Sequence, residues 1–181
     1  GFPKELQETE AYVYVDGPVF EDIDNDGELE VIVAGKEGIV YAWNHDGTSV
    51  VGWPQNIGFT LQTPAAADID NDGDIEIVVA GKYINEEEDA LLYVFNGDGS
   101  SYGNGWPKGA ADDFLQVTDD APVLVDLDSD GDLEIIVRTS HSTLTAWHHD
   151  GTLVVGWPVS VDAVEMTEVV VADIDGDGDL D

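Results

Sequence analysis

Short apolar runs punctuated by acidic turns set the rhythm of this chain. GPVFEDI, TPAAADI, APVLVDL and EVVVADI each lead into an acidic stretch, and LEVIVAG, IEIVVAG and LEIIVRT follow the first three of them. These runs are rich in β-branched residues and are bounded by Gly, Pro or Asp. They are too short and too interrupted for helices and predict strands. A third run, GIVYAWN, ALLYVFN or STLTAWH, closes in an HDG or GDG turn. A shorter fourth strand is expected to end at a GWP marker. No segment carries the 3.6-residue periodicity of an amphipathic helix.

The pattern repeats. DIDNDGELE starts at Asp22, DIDNDGDIE at Asp68, DLDSDGDLE at Asp126 and DIDGDGDLD at Asp173, giving spacings of 46, 58 and 47 residues. GWP keeps step at 52, 105 and 156, with GFP at position 1 as a fourth copy. VYAWNHDGT from Val40, LYVFNGDGS from Leu92 and LTAWHHDGT from Leu144 form a third series. Four strands in about 46 residues is the size of one propeller blade and unlike a helical solenoid. The long middle spacing has a visible cause in YINEEED from Tyr83, SYGNG from Ser101 and KGAADDFLQVTDD from Lys108. All three are polar or Gly-rich loops on a fixed frame.

The fold class expected is therefore all-β. It consists of four-stranded antiparallel β-propeller blades in one segment, 1–181, with repeats at about 8–54, 55–107, 108–158 and a truncated 159–181. Three blades and one extra strand cannot close a ring, because propellers use four to eight. The expectation is a segment of a longer protein, or copies that cover one another's open faces in an assembly.

Charge narrows the partners. Five Lys and Arg against 40 Asp and Glu give 5 − 40 = −35, which excludes a basic nucleic-acid footprint and argues against an anionic membrane surface. No apolar run approaches the ~18 residues of a membrane helix. Cys is absent, so no disulfide contributes, and GFPKELQETE lacks the layout of a secretory signal.

Cations are the natural partners, and the acidic loops have the form to hold them. In D-x-D-x-D-G-x-x-E the acids at positions one, three and five converge as the loop folds back, and Gly at six permits the sharp turn. Oxygen-only ligands at this density suit Ca²⁺. The expected ligand sets are Asp22, Asp24, Asp26, Glu28 and Glu30; Asp68, Asp70, Asp72, Asp74 and Glu76; Asp126, Asp128, Asp130, Asp132 and Glu134; and Asp173, Asp175, Asp177, Asp179 and Asp181. Position seven, held by Glu28, Asp74, Asp132 and Asp179, is expected to give its backbone carbonyl. Position twelve is Val33, Val79 or Val137 inside a strand, whereas an EF-hand places its closing Glu there and continues as a helix. Solvated turns are the plain alternative, but a turn does not require acids at four fixed positions. Four bound ions would leave −35 + 8 = −27, so the acidity exceeds what the loops account for.

These loops, the I-V-V-A-G and V-I-V-A-G strands after them, and the V-Y-A-W-N and G-W-P segments resemble the FG-GAP and VCBS-type repeats of integrin alpha-subunit propellers and secreted microbial proteins. The closer likeness is to the microbial GWP-containing variety. The resemblance implies a calcium-binding β-propeller, usually extracellular, with the loops on one face. It does not imply an integrin's ligand or partner subunit.

Other residues have two readings each. Trp53, Trp106 and Trp157 offer flat apolar faces for sugars, yet repetition at one blade position favours packing between blades. The same packing reading applies to Trp43 and Trp147. His45, His148 and His149 lie beside HDG turns, where solvated side chains are the reading favoured over metal ligation. No nucleophile elbow, phosphate-binding loop or His pair at ligand spacing is present, so the chain is read as a non-enzyme. The functional expectation is an extracellular calcium-binding scaffold for adhesion or for a protein or glycan ligand. The alternatives are a subunit of a surface layer or filament, and part of a polysaccharide-active propeller.

Overall fold

Backbone pairing starts on either side of the first acidic loop. This computed structural model describes residues 17–35, 37–58, 60–82, 91–109, 121–140, 143–160, 169 and 171–173. Before the loop lies β1 (Val19–Glu21) and after it β2 (Glu30–Ala34), antiparallel with Val19 opposite Ile32. β3 (Ile39–Trp43) pairs with the far edge of β2, and β4 (Gln55–Asn56) completes the sheet in the order β1-β2-β3-β4. β1, β2 and β3 fall in the β-branched runs the sequence predicts, so packing on a pleated surface explains their conformation.

The second sheet repeats this plan with one variation. β5 (Thr60–Leu61) and β6 (Ala65–Ala67) follow one another along the same edge of β7 (Glu76–Lys82), while β8 (Leu91–Asn96) takes its other edge. A single bridge between Leu92 and Lys108 stands where the fourth strand would be. The third sheet is complete: β9 (Val123–Val125), β10 (Glu134–Ser140), β11 (Thr143–Trp147) and β12 (Val159–Ser160). Among the described residues every regular element is a strand, and no helix is long and apolar enough to cross a membrane.

Period-two alternation gives each middle strand two apolar faces, and the blades stack through them. Ile32, Ala34, Val40 and Ala42 of the first blade meet Ile77, Val79 and Phe95 of the second. On the opposite face of the second blade, Val78, Ala80, Leu92 and Val94 meet Ile135, Val137 and Trp147 of the third. At the inner edge β6 lies against both β1 and β9, so the first strands converge on one side. The described blades form an unclosed arc of a propeller.

The GWP segments are where the expected strand placement differs. Each lies in a turn, with Trp53 N–H donating to Val50 O at 3.1 Å, Trp106 to Gly103 at 2.9 Å and Trp157 to Val154 at 3.1 Å. The fourth strand therefore follows the marker instead of ending at it. Proline supplies no donor and the Trp N–H is already committed to the turn, so ladder pairing resumes only afterwards, at Gln55, Lys108 and Val159.

The marker's own work is between blades. Trp53 is 6% exposed, packs edge-on to Phe95, and donates from Nε1 to the Gly97 carbonyl of the next blade at 2.8 Å. Trp106 repeats this one blade on, edge-on to Trp147, with Nε1 donating to the His149 carbonyl at 2.7 Å. Trp157 is half-buried. Packing between blades is thus the role of Trp53 and Trp106.

Gly97 must remain a glycine for this junction to close, because a Cβ there would overlap the Ile23 carbonyl oxygen of the first loop. Gly97→Ala is expected to destabilise the chain by roughly 1–3 kcal/mol, the usual cost of overpacking. Trp53→Phe is expected to cost about 1–2 kcal/mol by leaving the Gly97 carbonyl unpaired. Chemical denaturation of both variants checks this, and midpoints equal to wild type would contradict the inter-blade junction.

Candidate metal centres

Each acidic loop is first a set of carboxylates collecting backbone N–H groups. Asp22 accepts from Asp26 N–H at 3.0 Å and from Gly27 N–H at 2.9 Å; Asp68 accepts from Asp72 at 3.1 Å and Gly73 at 3.0 Å; Asp126 accepts from Gly131 at 3.1 Å. The carboxylate at position five turns back on position seven, with Asp26, Asp72 and Asp130 accepting from Glu28, Asp74 and Asp132 at 2.8, 2.9 and 2.9 Å. Folding the loop this tightly puts position four in the left-handed region, at Asn25, Asn71 and Ser129, and position six at Gly27, Gly73 and Gly131 with φ of 90°, 97° and 103°. Asn tolerates that conformation, and glycine adopts it freely.

Beneath each of the first three loops lies the acid at position nine, the first residue of the next strand. Glu30 is 0% exposed, Glu76 2% and Glu134 0%. One oxygen of each accepts the position-two N–H, from Ile23 at 3.0 Å, Ile69 at 3.1 Å and Leu127 at 2.7 Å. Glu30 Oε1 is buried with no hydrogen-bond partner, as are Asp70 Oδ1 and Asp126 Oδ1. Leaving such oxygens unpaired is costly, and a positively charged group is one partner that would satisfy them. Burial raises the Glu30 carboxyl, opposed by the Ile23 N–H and assisted by Asp24, Asp26 and Asp22. Burial likewise pushes Glu76 up to about 7, against the Ile69 N–H and with Asp70, Asp72 and Asp68 adding repulsion.

The expected ligands come together in parts. Asp22, Asp24 and Glu30 each bring an atom within 4.8 Å of the others, as do Asp68, Asp70 and Glu76, and Asp126, Asp128 and Asp130. These acidic clusters could hold a metal ion. Asp26 and Asp72 stand beside their groups with Oδ1 turned to the backbone. The position-seven side chains point elsewhere: Glu28 is exposed, Asp74 Oδ1 accepts from Asn25 Nδ2 of the preceding loop at 2.8 Å, and Asp132 Oδ2 lies 3.2 Å from His149 Nε2. Asp173 is exposed, while Asp175, Asp177, Asp179 and Asp181 lie outside the described residues, as do the NEEED segment and most of the stretch from Lys108 to Asp120.

Neighbouring loops share one face and touch. Besides the Asn25–Asp74 bond, Leu133 N–H donates to the Ile69 carbonyl at 2.8 Å, joining the third loop to the second. Between the first two loops opens a cleft of about 520 Å³, lined by Asp24, Asn25, Asp72, Asp74 and Tyr102 with Val50 and Val51 at its side. Tyr102 Oη donates to Asp70 Oδ2 at 2.8 Å and lies 3.0 Å from His149 Nδ1, so a polar chain runs from the second loop to Asp132 of the third.

The histidines of the third blade depart from the solvated-turn reading. His148 Nδ1 lies 2.9 Å from Glu134 Oε1, and His149 bridges Tyr102 and Asp132. The signal for His148 was present in alignment of the repeats, since its place before the Asp-Gly turn is held by Asn44 and Asn96 in the other two blades. His45 is exposed.

Comparison with known proteins bears on the fold and the family. The structure of the V. cholerae biofilm matrix protein Bap1 is similar, with a TM-score of 0.56 and 18% sequence identity, covering 94% of this chain and 28% of that one. This likeness is one of fold. Among curated proteins, none shows significant sequence similarity. The profile of the FG-GAP-like repeat matches residues 22–79, 68–137 and 126–181. With those three matches running from the first acidic loop to Asp181, the chain belongs to the FG-GAP-like repeat family.

Proposed function

We propose that this chain is a calcium-stiffened extracellular scaffold with no catalytic role of its own. The observation that carries the reading is the fully buried Glu30, whose Oε1 has no partner beneath a loop of three further aspartates. A hard divalent cation satisfies that oxygen and reverses the sign of the repulsion among Asp22, Asp24 and Asp26. Asp22, Asp24, Asp26 and Glu30 would hold the first ion, with Glu28 giving its carbonyl. Asp68, Asp70, Asp72 and Glu76 with the Asp74 carbonyl would hold the second, and Asp126, Asp128, Asp130 and Glu134 with the Asp132 carbonyl the third. The fourth repeat carries the same motif from Asp173 to Asp181. When bound, calcium supplies rigidity and charge neutralisation.

An extracellular place follows from the chemistry of such sites. Extracellular modules bind calcium at about 10⁻⁴ to 10⁻³ M, a range in which a calcium-poor cytosol leaves them empty. The fold shared with a biofilm matrix protein supports a matrix or cell-surface setting and favours a structural or adhesive role over an enzymatic one. A protein or glycan is the partner class, and the cleft beside Asn25 and Tyr102 offers it carboxylates and amide groups next to the aliphatic Val50 and Val51.

Calcium is expected to raise the melting temperature, because at tenfold excess over Kd each site contributes roughly 1.4 kcal/mol. Coincident melting curves in calcium and in chelator would contradict the proposal. Within one loop, Asp70→Ala is expected to remove one calcium from the calorimetric count, whereas Asp74→Ala keeps the count and loses only the tie to Asn25. Equal losses at both would show that the ligand set is different.

pH supplies a further check. Glu76 has a folded-state value raised to about 7, so its protonated form favours the calcium-free fold. That contribution is present at pH below the ordinary carboxylate range and is lost as pH rises through about 7. Calcium must displace the same proton, so the calcium-induced gain in melting temperature is expected to be larger at pH 8 than at pH 5.5. A gain independent of pH would count against Glu76 as a ligand.

A further inference from the structure

The third loop differs from the first two in what stands over its buried glutamate. In the first blade Asn44 Nδ2 donates to Thr48 Oγ1 at 2.9 Å, and in the second Asn96 Nδ2 donates to Ser100 Oγ at 2.8 Å, so both amides serve their own turns. The third blade keeps the same turn, with His148 N–H donating to Thr152 O at 2.9 Å and Thr152 Oγ1 donating to Asp150 at 2.7 Å. Its side chain, however, leaves the turn. His148 Nδ1 instead meets Glu134 Oε1, the oxygen whose counterpart in the first blade, Glu30 Oε1, has no partner.

That rotation assembles a different donor set. Among the described residues, Asp128, Glu134 and His148 each place one donor atom within 4.8 Å of the others. In the first two loops the corresponding acids at positions one, three and nine group together without an imidazole. The 2.9 Å separation of Nδ1 and Oε1 is close to the roughly 3.3 Å that two ligands subtend on one tetrahedral zinc ion. Glu134 is fully buried and therefore fixed, and its second oxygen is held by the Leu127 N–H at 2.7 Å, as expected of an oriented ligand. Asp126 Oδ1 is buried and without a partner in the same loop, an acceptor still to be satisfied. His149 is engaged by Asp132 and Tyr102, which leaves His148 as the imidazole directed at the loop.

Imidazole changes which ion is preferred. Calcium and magnesium select oxygen, whereas a nitrogen donor beside two carboxylates favours zinc and its first-row neighbours. We propose that the third loop takes a divalent transition-metal ion, with Zn²⁺ as its representative, through His148 Nδ1, Glu134 and Asp128. The inference rests on the reading of the loops as cation sites and names a different ion for one of them. On binding, the metal takes the place of the proton shared between Nδ1 and Oε1.

The test is calorimetric titration of the whole 181-residue chain with Zn²⁺ in saturating Ca²⁺, paired with Co²⁺ absorption as a spectroscopic report of nitrogen ligation. One tight Zn²⁺ is expected per chain, accompanied by a Co²⁺ visible band. His148→Asn installs the residue that the other two blades carry, so the fold is retained. It is expected to weaken zinc at least tenfold and abolish the Co²⁺ band, and Asp128→Asn is expected to weaken zinc as well. Zinc binding unchanged in His148→Asn overturns the proposal. So does loss in that variant with none in Asp128→Asn, which marks a surface imidazole only. Calcium titration without zinc separates the two readings: filled first and second loops with no zinc effect sink only this inference, whereas empty loops sink the calcium reading.

Discussion

A carboxylate buried at the foot of each of the three described acidic loops is the constraint on which the rest depends. Glu30, Glu76 and Glu134 begin the second strand of their blades, and each is held there by one N–H from the loop's second residue. That bond ties the loop to the sheet but satisfies one oxygen only. Removing a charged carboxylate from water without full pairing is unfavourable, and crowding it with three aspartates adds to the cost. The raised Glu76 carboxyl expresses this conflict. The loop conformation is itself held by aspartates accepting backbone N–H groups, and a divalent cation placed among the acids would relieve the remaining repulsion.

Position within the repeat then links one blade to the next. Glycine at position six lets the loop close over its acids, and Asn25 at position four reaches forward to Asp74. The GWP tryptophans fasten the same junction next to the loop, where Trp53 meets Gly97 immediately beside the Ile23 carbonyl. Loop and marker therefore meet at the first interface. An ion held in one loop would therefore act on the packing of two blades.

Much of this was legible in the sequence because repetition isolates it. Strand runs with period-two alternation, bounded by Asp-Gly turns, specify four-stranded blades, and acids at fixed offsets mark the loops. The placement of the fourth strand was not legible, since a tryptophan N–H looks available for pairing until the turn to Val50 or Val154 is seen. The split of the second blade's first strand into two pieces along β7 was hidden for a similar reason, because spacing does not reveal which backbone groups stay aligned. The histidines were misread because a turn position says nothing about side-chain direction. Asn96 and His148 occupy one place in the repeat and turn opposite ways, one to its own turn and the other to a buried acid.

The most direct test of the account is anomalous diffraction from crystals grown in calcium. The account predicts a calcium peak in the first loop within about 2.3–2.6 Å of Glu30 Oε1 and in the second within the same reach of Asp70 Oδ1. Density at those oxygens explained by water or by a cationic side chain, with no anomalous peak in either loop, would contradict it.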